Sequence, residues 1–431
     1  MKLVKMSLAT IVAAGALSSV ASATPLEEAI KNVDVSGWAR YRFDSTQTDN
    51  ANKANDKNSN KSYHRFTSTI DFKAALDDNF FGVIGFRYDS RDESGDHTSN
   101  NAGRTMTAQD DEGFDNYGQT FNVRQFLLGY KAGNTTIQAG RQVLGTFFTD
   151  DMVGTGIKVL NTDITGLTLA AIAFDDLQSD QHIGTRHLLS NSKPAFGNGG
   201  AQTDKVGDYY TYQNNLYGVA AIGSYDPVSF QLWYAMLENV TDLYAVELAV
   251  NFNVTEDLSL GLRGQYGGSS IDNDFKKGTV NLADDADFWA IEASAKAYGV
   301  DARVGYVDFS ADGKDKVSVI SYEDQGKFIE AGEDLYDTYS YFGGDNNYWF
   351  IVAGYSFLEK FRVGVDYASG KITKDLAVGK QDAYEVVGRL SYKYSKKLNF
   401  QTFWSHYEID GKDAVKDLKS DHFRFEARYN F

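Results

Sequence analysis

The chain has 431 residues, a formal net charge of −17, an aromatic content of 14% and no cysteine. Without cysteine there is no disulfide framework and no thiolate metal site, and the acidic balance argues against nucleic acid, whose partners are normally basic. After residue 23 nothing approaches the roughly 18 consecutive apolar residues of a spanning helix, a criterion blind to transmembrane strands, which need only alternate.

The chain opens with MKLVK, runs through MSLATIVAAGAL and reaches Ala21-Ser22-Ala23. Charged start, short apolar run and small-residue site predict a secretory signal peptide over 1–23 and a single domain over 24–431. Loss of Lys2 and Lys5 would take the net charge from −17 to −19.

Strict alternation follows. In VDVSGWARYRF, Val33, Val35, Gly37, Ala39, Tyr41 and Phe43 share one face while Arg40 and Arg42 share the other. RFTSTIDFKA, VSFQLWYAM and FRVGVDY repeat the pattern. A period of two rather than 3.6 predicts strands with one apolar and one polar face. The predicted strands are 33–43, 64–74, 80–88, 121–130, 135–141, 154–160, 167–174, 210–224 and 228–236. The second half adds 243–252, 258–266, 288–297, 300–308, 348–356, 361–368, 383–393, 398–407 and 421–431. The count is about 18, with 16 as the alternative.

Short connections (LDDN, KAGN, YDP, NVTED, YGV, FLEK, YSKK) alternate with long polar ones at 44–63, 89–120, 142–153, 175–209, 267–287, 309–347, 369–382 and 408–420. Only the connection near 237–242 breaks the rule by being brief. Segregation of loop length by side predicts an all-β, antiparallel transmembrane barrel with short periplasmic turns and long external loops. The final HFRFEARYNF reads as its closing strand, aromatic face to lipid and Phe431 at the interfacial belt.

Several segments resemble a known family. TPLEEAIKNVDVSGWARYRFD, the GRQVL at Gly140–Leu144, VGTGIKV at Val153–Val159 and GLTLAAIAF at Gly166–Phe174 are similar to the Campylobacter-type major outer membrane protein, an epsilonproteobacterial general porin. The likeness is strongest in the first 45 residues and over 140–174. It implies a homotrimer among outer-membrane lipids of a Gram-negative bacterium. It also implies that the terminal strand, with Tyr429 and Phe431, is the assembly signal read by the barrel-assembly machinery. Small outward residues (Gly37, Ala39, Ala293, Ala295, Ala297) would allow close barrel-to-barrel contact.

With the apolar face outward, the lumen receives a basic wall of Arg40, Arg42, Arg65, Arg87, Arg263, Arg303, Arg362, Arg389, Arg424 and Arg428. Repeated burial of arginine requires water or carboxylates beside it. The third long connection, RQVLGTFFTDDMVGTG, is unusually apolar. In the porin pattern it folds into the barrel over about 142–153, Phe147 and Phe148 packing on the wall and Asp150 and Asp151 facing the opening. A carboxylate pair opposite arginines would set a transverse field. The acidic connections 89–120 and 309–347 are expected to ring the external mouth.

Nothing points to an enzyme: no nucleophile elbow, no HExxH, no EF-hand loop. No cofactor is required, and Ca²⁺ at Asp150 and Asp151 is the one metal site left open. The expected function is a water-filled, weakly cation-selective channel for passive diffusion of ions and small hydrophilic solutes. The alternative is a barrel whose large loops act as surface adhesin or receptor.

Overall fold

The computed structural model describes residues 33–52, 57–95, 122–178, 214–278, 282–323, 325–335, 342–374, 376–411 and 416–431. The expected signal peptide and most of the second and fourth long connections lie outside the described residues. The first strands are β1 (Asp34–Asn52), β2 (Lys57–Ala75), β3 (Phe80–Gly95), β4 (Asn122–Ala132), β5 (Thr135–Val143), β6 (Val153–Asn161) and β7 (Leu167–Gln178). Then come β8 (Leu216–Tyr225), β9 (Val228–Leu237), β10 (Thr241–Asn253), β11 (Leu258–Ile271), a short helix α1 (Asn273–Gly278), β12 (Ala286–Ala297) and β13 (Val300–Ala311). A two-residue hairpin, β14 (Val317–Ser318) and β15 (Phe342–Gly343), stands apart. The chain finishes with β16 (Asp345–Phe357), β17 (Phe361–Ile372), β18 (Gln381–Lys393), β19 (Leu398–Ile409) and β20 (Leu418–Asn430).

Apart from β14 and β15, these strands form one 18-stranded antiparallel sheet in which β13 pairs with β16 and β1 pairs with β20. The sheet is therefore a closed barrel with no free edge, the form hydrocarbon demands of strands. Closure runs to the last residue. Gly37 and Phe431 exchange both backbone bonds, at 3.2 and 3.0 Å, and Tyr429 stacks on Phe431 at 6.1 Å.

Alternation divides the side chains as hydrocarbon outside and polar groups inside require. Phe126, Leu128, Ile291, Val304, Trp404 and Tyr429 are exposed on the outer surface, while their sequence neighbours turn inward. Each short connection has turn chemistry. Tyr298 and Gly299 between β12 and β13 both have positive φ, the two-residue hairpin that matches strand twist. The strand count agrees with the sequence expectation, but the expected long connection at 44–63 does not: β1 and β2 continue through it, paired from Asp44↔Tyr63 to Asn52↔Lys57, because a ladder satisfies these polar residues' backbone groups.

One expectation is corrected. The connection at 309–347 reads as an acidic external loop, yet its described residues fold inward. Val317, Val319, Ile320, Tyr322, Phe328, Ile329 and Phe342 are all buried. They join Leu237, Leu243, Phe288, Val307 and Phe350 of the wall and Phe147, Phe148 and Met152 of the 144–152 loop in one apolar cluster. The burial of this apolar surface outweighs the loop's charge, because its carboxylates find partners inside the barrel.

Candidate constriction and lumen wall

The third loop, residues 144–152, is held at its base by the Leu144 amide donating to the Met152 carbonyl at 2.9 Å. Thr146 and Thr149 hydroxyls meet at 2.9 Å inside it. Phe147 and Phe148 are almost fully buried. Phe147 meets Phe328 edge-on at 4.9 Å, and Phe328 in turn packs on Phe288 of β12 at 4.5 Å. The two phenylalanines therefore pack on the inward-folded 309–347 connection, the seventh loop once the brief 237–242 connection is counted, which carries them to the wall.

The backbones of the two loops are also joined. The amides of Tyr322 and Lys327 donate to the carbonyls of Phe148 and Phe147, each at 2.8 Å. Buried Glu323 does more. Its Oε2 accepts the amides of Asp150, Asp151 and Met152 at 3.0, 3.0 and 2.6 Å. One carboxylate oxygen thus gathers three successive N–H groups of the third loop. Glu385 of β18 treats the seventh loop in the same way, accepting the amides of Glu333, Asp334 and Leu335 at 2.8, 3.0 and 3.1 Å. The Lys327 carbonyl accepts from Arg263 and Gln265, both at 3.0 Å. Tyr322 donates its hydroxyl to the carbonyls of Ala235 and Thr241, and burial pushes that hydroxyl well above the usual tyrosine range, so it stays a neutral donor.

Asp150 and Asp151 take different places. The Asp150 side chain is 62% exposed and lies 3.4 Å from the Lys327 ammonium. Asp151 is 28% exposed and bridges Arg87 at 3.0 Å and Arg124 at 3.3 Å. The two carboxylates are thus not a converging pair, and among the described residues no group of three His, Cys, Asp or Glu could hold a metal ion. That donor set does not fit Ca²⁺, which takes six to eight oxygens.

All ten arginines of the expected wall lie on the inward face, but the wall is not a bare basic stripe. Arg42 pairs with Glu426 at 2.9 Å, Arg65 with Asp89 at 2.6 Å, Arg263 with Glu247 at 2.6 Å, Arg303 with Glu292 at 2.9 Å and Arg362 with Asp301 at 2.7 Å. Arg87 bridges Asp89 and Asp151. Arg389 binds Asp366 and Glu333, and Arg424 binds Asp44. Arg40 approaches Glu426 only to 3.8 Å. Arg428 lies over the Trp38 ring at 4.5 Å.

Arg124 is a wall residue that alternation misplaces. The β3–β4 register steps from Gly85↔Gln125 to Phe86↔Val123, leaving Arg124 as the extra residue of a bulge. The bulge turns it inward to Asp151, as bulges commonly re-aim a side chain. Glu323 and Glu385 were equally unmarked, because their amide partners lie 171–173 and 50–52 residues away.

Solved structures share this fold at low identity. OccK9 (OpdG) of Pseudomonas aeruginosa superposes with a TM-score of 0.65 at 15% identity, covering 92% of this chain and 99% of its own. A BenF-like porin from Pseudomonas fluorescens Pf-5 gives 0.64 at 15%, with the same coverage. OccAB3 of Acinetobacter baumannii gives 0.64 at 12%, again covering 92% and 99%. No curated protein sequence matches the chain. The sequence model of the Campylobacter major outer membrane protein matches residues 1–431, and a closed barrel with a lipid-facing apolar surface is the architecture such a protein needs. The chain belongs to the Campylobacter major outer membrane protein family and is a β-barrel of the outer membrane.

Proposed function

We propose that this protein is a general-diffusion porin, a passive, weakly cation-selective channel for ions and small hydrophilic solutes. The observation that carries this reading is a closed barrel whose inner face is lined by charged pairs and narrowed by two inward-folded loops. The third and seventh loops pack on the β8–β13 side through Phe147, Phe148, Tyr322 and Phe328. The charged face of β20, β1, β2 and β3 carries Arg42, Arg65, Arg87 and their carboxylates, and the loops reach it through Asp151 on Arg87 and Asp334 on His422. On this reading the aqueous path passes the two loops, with the exposed Asp150 and the partly exposed Asp151 on its lining. Paired charges along a wet wall suit transit rather than turnover.

Cation preference follows from the net charge of −17 and from the exposed Asp150 carboxylate. It is modest, because most wall charges cancel in pairs and a wide wet pore keeps its dielectric high. The assembly is a trimer, favoured by the small outward residues of β12 (Ala293, Ala295, Ala297). Insertion uses the terminal strand as a signal to the barrel-assembly machinery. The decisive experiment is reconstitution into planar bilayers. Stepwise KCl conductance is expected, with a cation-selective reversal potential that weakens as salt rises. An anion-selective or non-conducting protein would overturn the reading. Cross-linking in native membranes should give trimers, and a purely monomeric ladder at high density would refute that part.

A further inference from the structure

The β1–β20 seam carries three inward-facing rungs whose residues are register partners: Asp44↔Arg424, Arg42↔Glu426 and Arg40↔Arg428. The first two rungs pair opposite charges, with Arg424 on Asp44 and Arg42 on Glu426. The third, nearest the periplasmic rim, sets two guanidiniums against each other. Both lie over one indole, Arg40 at 5.1 Å and Arg428 at 4.5 Å from the Trp38 ring.

The nearby acids are engaged mainly by other arginines. Glu426 is engaged by Arg42 through Nε at 3.2 Å and Nη2 at 2.9 Å, and by Gln401 at 2.9 Å. Arg40 reaches it only at 3.8 Å. Asp89 is taken by Arg65 and Arg87. The Arg428 Nε donates to a neutral amide, Asn430 Oδ1, at 3.2 Å. The Arg40 Nε is buried and has no hydrogen-bond partner among the described residues. Arg42 and Arg40 therefore draw on one carboxylate, Arg428 donates to a neutral amide, and Arg40 and Arg428 face each other on an aromatic platform.

We propose that the Arg40–Arg428–Trp38 rung is a binding subsite for the carboxylate of a solute in transit, one rung below the internal carboxylate of Glu426. This rests on the porin reading. Planar guanidinium forks match a carboxylate's two oxygens, as Arg65 demonstrates on Asp89, with Nε donating to Oδ1 at 2.8 Å and Nη2 to Oδ2 at 2.6 Å. The indole holds both forks by cation–π contact and offers an apolar flank to the body of the solute. A carboxylate here supplies the missing negative charge of the rung, and the water around it keeps exchange fast.

The test uses the full-length protein in planar bilayers in KCl, with succinate as probe and inorganic phosphate at matched ionic strength as control. Succinate is expected to reduce wild-type current saturably. Arg40→Gln with Arg428→Gln should raise the half-blocking concentration by at least about tenfold, since two charge-assisted contacts are lost. Glu426→Gln should lower it, because the internal competitor disappears, a sign that damage to the barrel cannot imitate. Block unchanged in the double variant overturns the subsite, as does block by phosphate without block by succinate. Normal wild-type conductance with no succinate block sinks the subsite alone. Absence of any conductance sinks the porin reading and the subsite with it.

Discussion

Replacing Glu323 by alanine should loosen the third loop without unfolding the barrel. Oε2 of Glu323 accepts three amides, at 3.0, 3.0 and 2.6 Å. A hydrogen bond to a charged group contributes about 1.5–3 kcal/mol. Three bonds to one oxygen do not add, so about 3 kcal/mol for the set is a fair estimate, roughly one strong bond or two weak ones. The Asp150 amide can recruit water once freed, but Met152 is fully buried and its amide cannot. A loss of about 3 kcal/mol shifts the docked-to-undocked ratio of the loop by more than about a hundredfold. The Phe147–Phe328 contact and the two backbone bonds to Tyr322 and Lys327 remain, so the docked state should still predominate. What changes is the minor state, which becomes visible as open-channel flicker to a higher conductance level. Glu323→Gln keeps an acceptor oxygen but not its charge, and should lie between the two at a cost of about 1 kcal/mol. Single-channel recording resolves this directly. An alanine variant with wild-type open-channel noise and conductance would refute the clamp.

Asp151→Asn should shift the reversal potential toward anions more than Asp150→Asn does. The first removes the carboxylate that Arg124 and Arg87 share, leaving Arg87 only its contact with Asp89 among the ion pairs described, whereas Asp150 is exposed beside Lys327; a larger shift for Asp150→Asn would refute the ordering. Gly326→Ala should raise open-channel noise, because at φ +62° a Cβ would lie 2.4 Å from the Phe147 carbonyl oxygen. The left-handed conformation alone costs a non-glycine residue about 1–2 kcal/mol, and an unchanged trace would show that the two loops do not depend on that contact. Deleting Phe431 removes both backbone bonds to Gly37 and the stack on Tyr429. The amount of folded, heat-modifiable barrel in outer-membrane fractions should fall, and a normal amount would refute the assembly-signal idea.

The barrel was legible because lipid imposes a rule on single residues. Every second side chain of a spanning strand must be apolar, so Val35, Ala39 and Tyr41 could be sorted from Arg40 and Arg42 without knowing any partner. The same rule failed at Arg124, where one inserted residue reverses the faces for two positions. Sequence alternation carries no mark of that bulge. The third loop could be read because its apolar residues are concentrated, VLGTFF against a background of Asn, Asp and Ser. The seventh loop has a comparable signal in VSVISY and KFIEA, but counting its acids over 309–347 conceals those runs.

What the charge count hides is the use to which the acids are put. Glu323 and Glu385 gather backbone amides, and Asp44, Asp89, Asp301, Asp366 and Glu426 hold guanidiniums. Each such carboxylate is spent on structure and presents little field to a passing ion, because its nearest neighbours carry the opposite charge. A net charge of −17 therefore says less about selectivity than the few groups that remain uncompensated. On the acidic side that is Asp150, exposed on the third loop and held only by the exposed Lys327 ammonium at 3.4 Å. On the basic side it is the Arg40–Arg428 rung. These two lie on different walls, one on the inward loop and one on the β1–β20 seam. Local groups left without a close partner of opposite charge, more than the summed charge, set the field along a wall of paired residues.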